Sequence, residues 1–308
     1  MNGRAGILRR RVPLPAPPAP RLIAQHGPYE CRTLDLSPGG VDAMSRLLGT
    51  IFPKAAHLTP AYLRWLYAEN PDGAAVGVNA YLGDEMVGHY AAICLRARLF
   101  GVETPGSHSL NNGVHPDHRG KGLFVRLGIL THECCAAAGH EFVIGVPNAN
   151  TTQVFATSFG FQLVGPLQAR VGLGPIARRA QEPAMDYARV WDADNLRWRL
   201  ANPSTRYALS RRGGRCEVRA PSGRPGIRAL VGFVDPALAP AGLGPPPLGL
   251  DLFIGADPAL RWSRSLYVNL PMRLRPAPLN FVFKDLGERG RRIEPGRLRY
   301  AALDFDPY

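Results

Sequence analysis

The sequence is short of cysteine, of acidic residues and of unbroken apolar stretches, and each shortage excludes something. Its five cysteines (Cys31, Cys94, Cys134, Cys135 and Cys216) are odd in number and irregular in spacing. No paired CxxC metal site can be drawn from them, and a chain of 308 residues has no need of disulfide staples. Idle thiols in a reducing cytoplasm are the expectation. No apolar run approaches the ~20 residues a helix needs to cross a bilayer. With a mean hydropathy of −0.11, no membrane span is expected. Arg9, Arg10 and Arg11 are followed by Pro13, Pro15, Pro17, Pro18 and Pro20, where a secretory leader needs unbroken apolar sequence. Residues 1–28 are therefore expected to be a disordered Pro/Arg-rich tail.

Acids number 24 against 37 lysines and arginines, a formal charge of +13. Such a field attracts anions. Nucleic acid is one candidate, but the basic residues are mostly scattered arginines. No helix-turn-helix, zinc-finger or RNA-recognition signature accompanies them, which argues against that partner. Also missing are a Walker A ending, a Gly-x-Gly-x-x-Gly fingerprint and any supported Ser-His-Asp or Cys-His set.

What is present begins with a strand over Tyr29–Leu36. Helices follow over Val41–Phe52 and Pro60–Ala68, the latter with Thr59 as N-cap and Pro60 in its first position. Val76–Leu82 and Met86–Phe100 alternate as a hairpin around Gly83, Asp84 and Glu85, and Glu103–Val114 extends the meander. A helix to about Ala138, a buried strand Glu141–Val146, a helix Thr151–Phe159 and a strand Phe161–Val171 complete an α/β pattern. Its antiparallel meander precedes a parallel crossover. From about residue 175 glycine, proline and arginine increase. Even so, Asn195-Leu196-Arg197-Trp198-Arg199-Leu200-Ala201-Asn202-Pro203 echoes Tyr62–Pro71 with one gap. Either chance or a degenerate second copy of one fold accounts for this.

The segment with chemical content is Val114-His115-Pro116-Asp117-His118-Arg119-Gly120-Lys121-Gly122-Leu123-Phe124. The first amides of a helix lack internal partners and lie at the positive end of its dipole, so a diphosphate is favoured there. Gly120 and Gly122 let phosphates approach the backbone, and Arg119 and Lys121 add charge. Pro116 stops the strand from continuing its pairing.

This segment, Val-x-Pro-x-x-Arg-Gly-Lys-Gly-Leu from Val114 to Leu123, resembles motif A of the GNAT acetyltransferase superfamily, and Asn148–Phe161 resembles motif B. The likeness covers roughly residues 29–171. It implies a mixed sheet of GNAT type, with splayed parallel strands near Asn112–Val114 and Ile144–Pro147. It implies acetyl-CoA or another acyl-CoA as donor. Gly113 and Val114 would contact the cofactor at the strand end. Arg119, Gly120, Lys121, Gly122, Leu123 and Phe124 would wrap its pyrophosphate, and Asn148 or Asn150 would lie by the pantetheine arm.

The activity so implied is N-acyl transfer to a primary amine of a small molecule, by direct attack in a ternary complex. The alternative is a non-catalytic module of the same fold that binds a partner or polymer. Two departures stand out. Phe124 replaces a small residue and should narrow or redirect the helix start. No tyrosine lies between Asn148 and Phe161 to protonate a leaving thiolate, so water, Ser158 or a residue of the second half takes that role. His115, His118, Glu133 and Glu141 are weak candidates for a base, Glu133 and Glu141 being expected on the surface. Asn111 and Asn112 could face the acceptor or simply serve the sheet. The expected organisation is the tail, an acyl-CoA-binding domain over 29–171, and a smaller α/β domain over 185–308. The last is a degenerate GNAT-like copy or a substrate clamp, ending in Asp304, Asp306 and Tyr308.

Overall fold

The computed structural model describes residues 19–212, 214–275 and 279–305, with the side chains of Asn150 and Met272 also undescribed. Residues 1–18 of the expected tail, with Asp306 and Tyr308, lie outside the described residues.

The chain opens with β1 (Leu22–His26) and β2 (Tyr29–Thr33), an antiparallel pair. The expected tail thus ends earlier than its prolines suggest: Leu22–His26 can form a ladder because no proline lies within it. Next come α1 (Pro38–Ile51) and α2 (Pro60–Ala68), capped by the side chains of Ser37 and Thr59, each with proline in the first turn. Both pack on one face of the meander β3 (Val76–Leu82), β4 (Glu85–Leu99) and β5 (Val102–Val114). A 3-10 turn at Pro116–His118 leads to α3 (Leu123–Ala137), which covers the other face. β6 (Phe142–Gly145) lies parallel to β5, and α4 (Ala149–Thr157) follows.

The strand expected over Phe161–Val171 is two strands, β7 (Gln162–Pro166) and β8 (Gln168–Leu173). The β7–β17 register shifts at Gly165, whose φ is 154°, and after Pro166, which has no amide to donate, β8 departs to pair with β14 and β16. Beyond lie β9 (Ala177–Arg178), β10 (Tyr187–Arg189), α5 (Ala193–Leu200), β11 (Ala208–Arg212), β12 (Arg215–Pro221) and β13 (Ile227–Val234). The chain continues through β14 (Leu250–Ala256), β15 (Leu260–Arg261), β16 (Leu266–Asn269), β17 (Asn280–Asp285), β18 (Leu298–Ala301) and α6 (Ala302–Phe305).

All described strands except β9 and β15 join one mixed sheet. Its main path is β11-β12-β13-β14-β18-β10-β4-β5-β6-β17-β7. The two halves are therefore laced together. β17 of the C-terminal half lies antiparallel between β6 and β7, pairing Val282 with Gly145 on one side and with Leu163 on the other. Phe281, Val282 and Phe283 are all buried, as a strand covered on both faces requires. β10 joins the far end of β4 to β18.

The two helices that echo one another in sequence, α2 and α5, meet face to face. Trp65 and Trp198 stack with ring centroids 4.9 Å apart. Trp65 Nε1 donates to the Trp198 carbonyl at 2.9 Å, and Trp198 Nε1 donates to the Trp65 carbonyl at 3.0 Å. This reciprocal pairing satisfies both indole N–H groups inside an apolar contact.

Candidate functional site

The site is built where β5 leaves the sheet. β5 and β6 pair in parallel only from Ser107/Val143 to Ser109/Gly145, after which β5 runs on to Val114 without a β6 partner. Its other edge stays bonded to β4 as far as Val114/Gly88. The two parallel strands therefore splay.

A bulge lies at the fork. The β4–β5 register shifts between His89 and Ala91, leaving Asn111 and Asn112 as the inserted pair. Asn111 has φ of 57°, a left-handed conformation that asparagine tolerates better than most residues. Asn112 Oδ1 accepts from the Ala91 amide at 2.7 Å, replacing the ladder bond that the bulge removes. Asn111 Nδ2 donates to Tyr67 Oη at 3.3 Å, and Tyr67 Oη lies 3.1 Å from His89 Nε2. His89 Nδ1 is 2.7 Å from Asn79 Oδ1. Oδ1 only accepts, so Nδ1 carries the proton and Nε2 receives the tyrosine hydroxyl. Burial pushes His89 down to about 3 and pushes the Tyr67 hydroxyl above its ordinary value. The group beneath the bulge is thus neutral and holds Asn111 in place; it does not exchange protons near neutral pH.

Past Val114 the loop turns on two glycines. Gly120 has φ of 74° and Gly122 φ of 72°, where a side chain is strained. Gly122 is the N-cap of α3, and no side chain caps that end. The first amide to close the helix is that of Arg126, on the Gly122 carbonyl at 3.0 Å. The amides of Leu123, Phe124 and Val125 precede it and are the orphan donors of the helix start. The loop is clasped from the N-terminal strands. His26 Nε2 donates to the Lys121 carbonyl at 2.8 Å, and Tyr29 Oη lies 3.0 Å from His118 Nδ1. Arg119 is exposed and its Nε donates back to the Val114 carbonyl at 3.2 Å. Lys121 Nζ reaches the Asp117 carbonyl at 3.5 Å.

Of the residues singled out from the sequence, Gly113, Val114, Arg119, Gly120, Lys121, Gly122, Leu123 and Phe124 are brought together in this strand end, loop and helix start. Asn148 stands apart from the loop, exposed at the head of α4, where its Oδ1 accepts from the Thr151 amide at 3.2 Å. Asn150 lies in α4, with its side chain outside the described residues.

Phe124 does not redirect the helix. Its ring turns inward to Tyr90 and Phe159, at centroid distances of 5.5 and 6.0 Å, because the face of α3 it occupies is the core face. Glu141 is not a free surface acid, since Arg291 Nη1 donates to it at 2.9 Å. All five cysteines are free thiols, and burial pushes Cys94 and Cys135 up to about 12, which disqualifies both as nucleophiles. Sequence reasoning missed His26, Tyr29, Tyr67, Asn79 and His89. Nothing in their spacing connects them, since they meet only through strand pairing and the packing of α2.

Among the described residues no helix is long and apolar enough to cross a membrane. Residues 35–164 match the acetyltransferase (GNAT) domain. No curated protein matches the sequence. In fold the chain is similar to a probable N-acyltransferase from Enterococcus faecalis, at 8% identity and a TM-score of 0.56 over 83% of this chain and 73% of that one. It is also similar to a GCN5-related N-acetyltransferase from Kribbella flavida (14% identity, TM-score 0.55, 86% and 73% covered). A third likeness is to Eis1 from Mycobacterium abscessus (13% identity, TM-score 0.52, 84% and 74% covered).

Proposed function

We propose that this chain, whose residues 35–164 match the acetyltransferase (GNAT) domain, transfers an acetyl or other acyl group from coenzyme A to a primary amine of a small molecule. The observation that carries the reading is the uncapped start of α3. Three orphan amides and two left-handed glycines follow directly on a strand that has parted from its parallel neighbour. That arrangement fits a diphosphate at one end and an extended arm along the strand.

Acyl-CoA supplies the activated thioester. The amides of Leu123, Phe124 and Val125, with Gly120 and Gly122 giving access, hold the diphosphate, and Arg119 and Lys121 add charge around it. The edge of β5 from Leu110 to Val114, unpaired toward β6, offers backbone donors and acceptors to the pantetheine arm, as to one more strand. A backbone amide at the fork polarises the acyl carbonyl. The His89 imidazole, neutral and enclosed, positions the bulge, so the amine's proton leaves through water. β17 supports a role for the C-terminal half as a wall of the acceptor side. Asn280 donates its amide to the Pro147 carbonyl at 3.2 Å and its Nδ2 to Thr152 Oγ1 at 3.0 Å, beside the β6 arm of the fork.

The test has two parts. A ligand that binds only the folded state stabilises it by about 2.7 kcal/mol at a hundredfold excess over Kd, so CoA and acetyl-CoA should raise the melting temperature. Thiol release should then appear with some member of an amine panel. Stabilisation without thiol release from any amine or acyl donor would make the chain a non-catalytic binding module. Absence of both would overturn the reading.

A further inference from the structure

The C-terminal half repeats the fork. β13 and β14 pair in parallel from Ile227/Leu250 to Leu230/Phe253, and β13 then runs free to Val234. β18 and α6 wedge into this second splay. Tyr300 and Ala301 pair with Ala256 and Gly255 of β14, and Leu303 packs onto Gly232 of β13. A cavity of about 430 Å³ remains between them. It lies far from the Val114–Phe124 loop. Arg189 on its wall pairs with Ala97 of β4, nine positions from Gly88, or roughly 30 Å along the strand. No helix start follows β13, where the chain continues through Asp235 and Pro236 into a loop that leads to β14, so among the described residues no helix-end amides for a diphosphate lie there.

The charges come instead from side chains, four arginines and four carboxylates, and they are not paired one to one. Arg178 and Arg299 are matched by Glu182 and Asp257, each acid facing both arginines. Arg215 has only Glu182 within reach, at 3.9 Å, already engaged by the other two. Arg189 is only 8% exposed. Its Nη1 donates to the backbone carbonyl of Asp304 at 3.1 Å, but Nε and Nη2 make no hydrogen bond, and Nη2 stands 3.9 Å from Asp72 Oδ2. The charge of Asp304 favours the guanidinium, but neither Asp304 nor Asp235 gives it a side-chain hydrogen bond. Asp304 Oδ2 accepts the Ala301 amide, and Asp235 Oδ1 accepts that of Ala237. A buried guanidinium with unmade bonds is costly, and an anion relieves the cost.

We propose that this cavity is a second ligand site and that it takes a small organic carboxylate, its head between Arg189 and Arg215 and its apolar body against Trp191, Phe233 and Phe253. The Trp191 ring lies 4.1 Å from the Arg189 guanidinium carbon and fixes the plane of the fork. The volume is within the range of small-molecule sites, roughly 300–1,000 Å³. The proposal stands on the second fork alone and does not depend on coenzyme A binding at the first.

The experiment is isothermal titration of the full chain with benzoate and other carboxylates from acetate to phenylacetate, with benzamide as the neutral isostere and inorganic phosphate as the bare anion. At least one carboxylate should bind at one site per chain, and benzamide at least tenfold more weakly than benzoate. Arg215→Gln, at the half-exposed rim, should weaken the carboxylate at least tenfold. Added CoA should leave its affinity unchanged. Arg189→Gln should do as Arg215→Gln does, with a thermal melt to show that the variant folds. The proposal is overturned if no carboxylate binds, if Arg215→Gln binds as the parent does, if CoA displaces the carboxylate, or if phosphate binds as tightly as the carboxylates.

Discussion

Gly120 offers a way to test the electrostatics of the loop with its shape held fixed. A Cβ built there meets no atom within 4 Å, and φ is 74°. Asparagine and aspartate tolerate that conformation better than other side chains, each at about 1–2 kcal/mol or less relative to glycine. Gly120→Asn and Gly120→Asp are nearly isosteric, so strain and any steric effect cancel between them. What remains is one negative charge beside the proposed diphosphate. At about 5 Å and an effective dielectric of 20 the repulsion is about 3 kcal/mol. The loop is exposed, so salt and solvent reduce this to about 1.4 kcal/mol, a factor of ten in Kd. Titration of CoA into both variants at low salt should therefore give an aspartate Kd about tenfold above that of asparagine. The gap should close at 1 M salt, where the screening length is about 3 Å. Equal affinities at low salt would refute the placement of the diphosphate at this helix start.

Trp198→Ala removes a buried stack and the indole hydrogen bond from Trp198 to the Trp65 carbonyl, while the backbone carbonyl that accepts from Trp65 remains, and should cost about 3–5 kcal/mol in a denaturant melt. A loss under 1 kcal/mol would deny that this contact ties the halves together. His132 lies among Tyr90, Phe159 and Phe161 with neither ring nitrogen hydrogen-bonded, and burial pushes it down to about 3. A histidine whose folded value is depressed leaves the unfolded chain binding more protons between about pH 6.5 and 3, so stability falls as pH falls through that window. His132→Phe should therefore raise the melting temperature, and by more at pH 5 than at pH 8; a gain independent of pH would remove the titration argument.

Thr59 and Pro60 fix the start of α2, because capping and proline geometry act within one turn. Gly83 and its neighbours give the β3–β4 hairpin, and the glycines at 120 and 122 mark where α3 begins, again through local backbone preference. The alternation around residues 161–171 shows apolar character without showing that a positive-φ glycine and a proline split the run between two parts of the sheet. Phe124, which breaks the motif on paper, is harmless in place because the core accepts its ring.

The sequence by itself determined the local elements, the strand–loop–helix unit at Val114–Phe124 and the family it resembles, since each follows from residues within a few positions of one another. Tertiary structure alone decided that β17 would enter between β6 and β7, that His26 and Tyr29 would clasp the loop, and that a second fork would enclose Arg189 and Arg215. Those outcomes depend on which strand edges and buried faces are left to be satisfied once the local elements exist, and no local pattern encodes that choice.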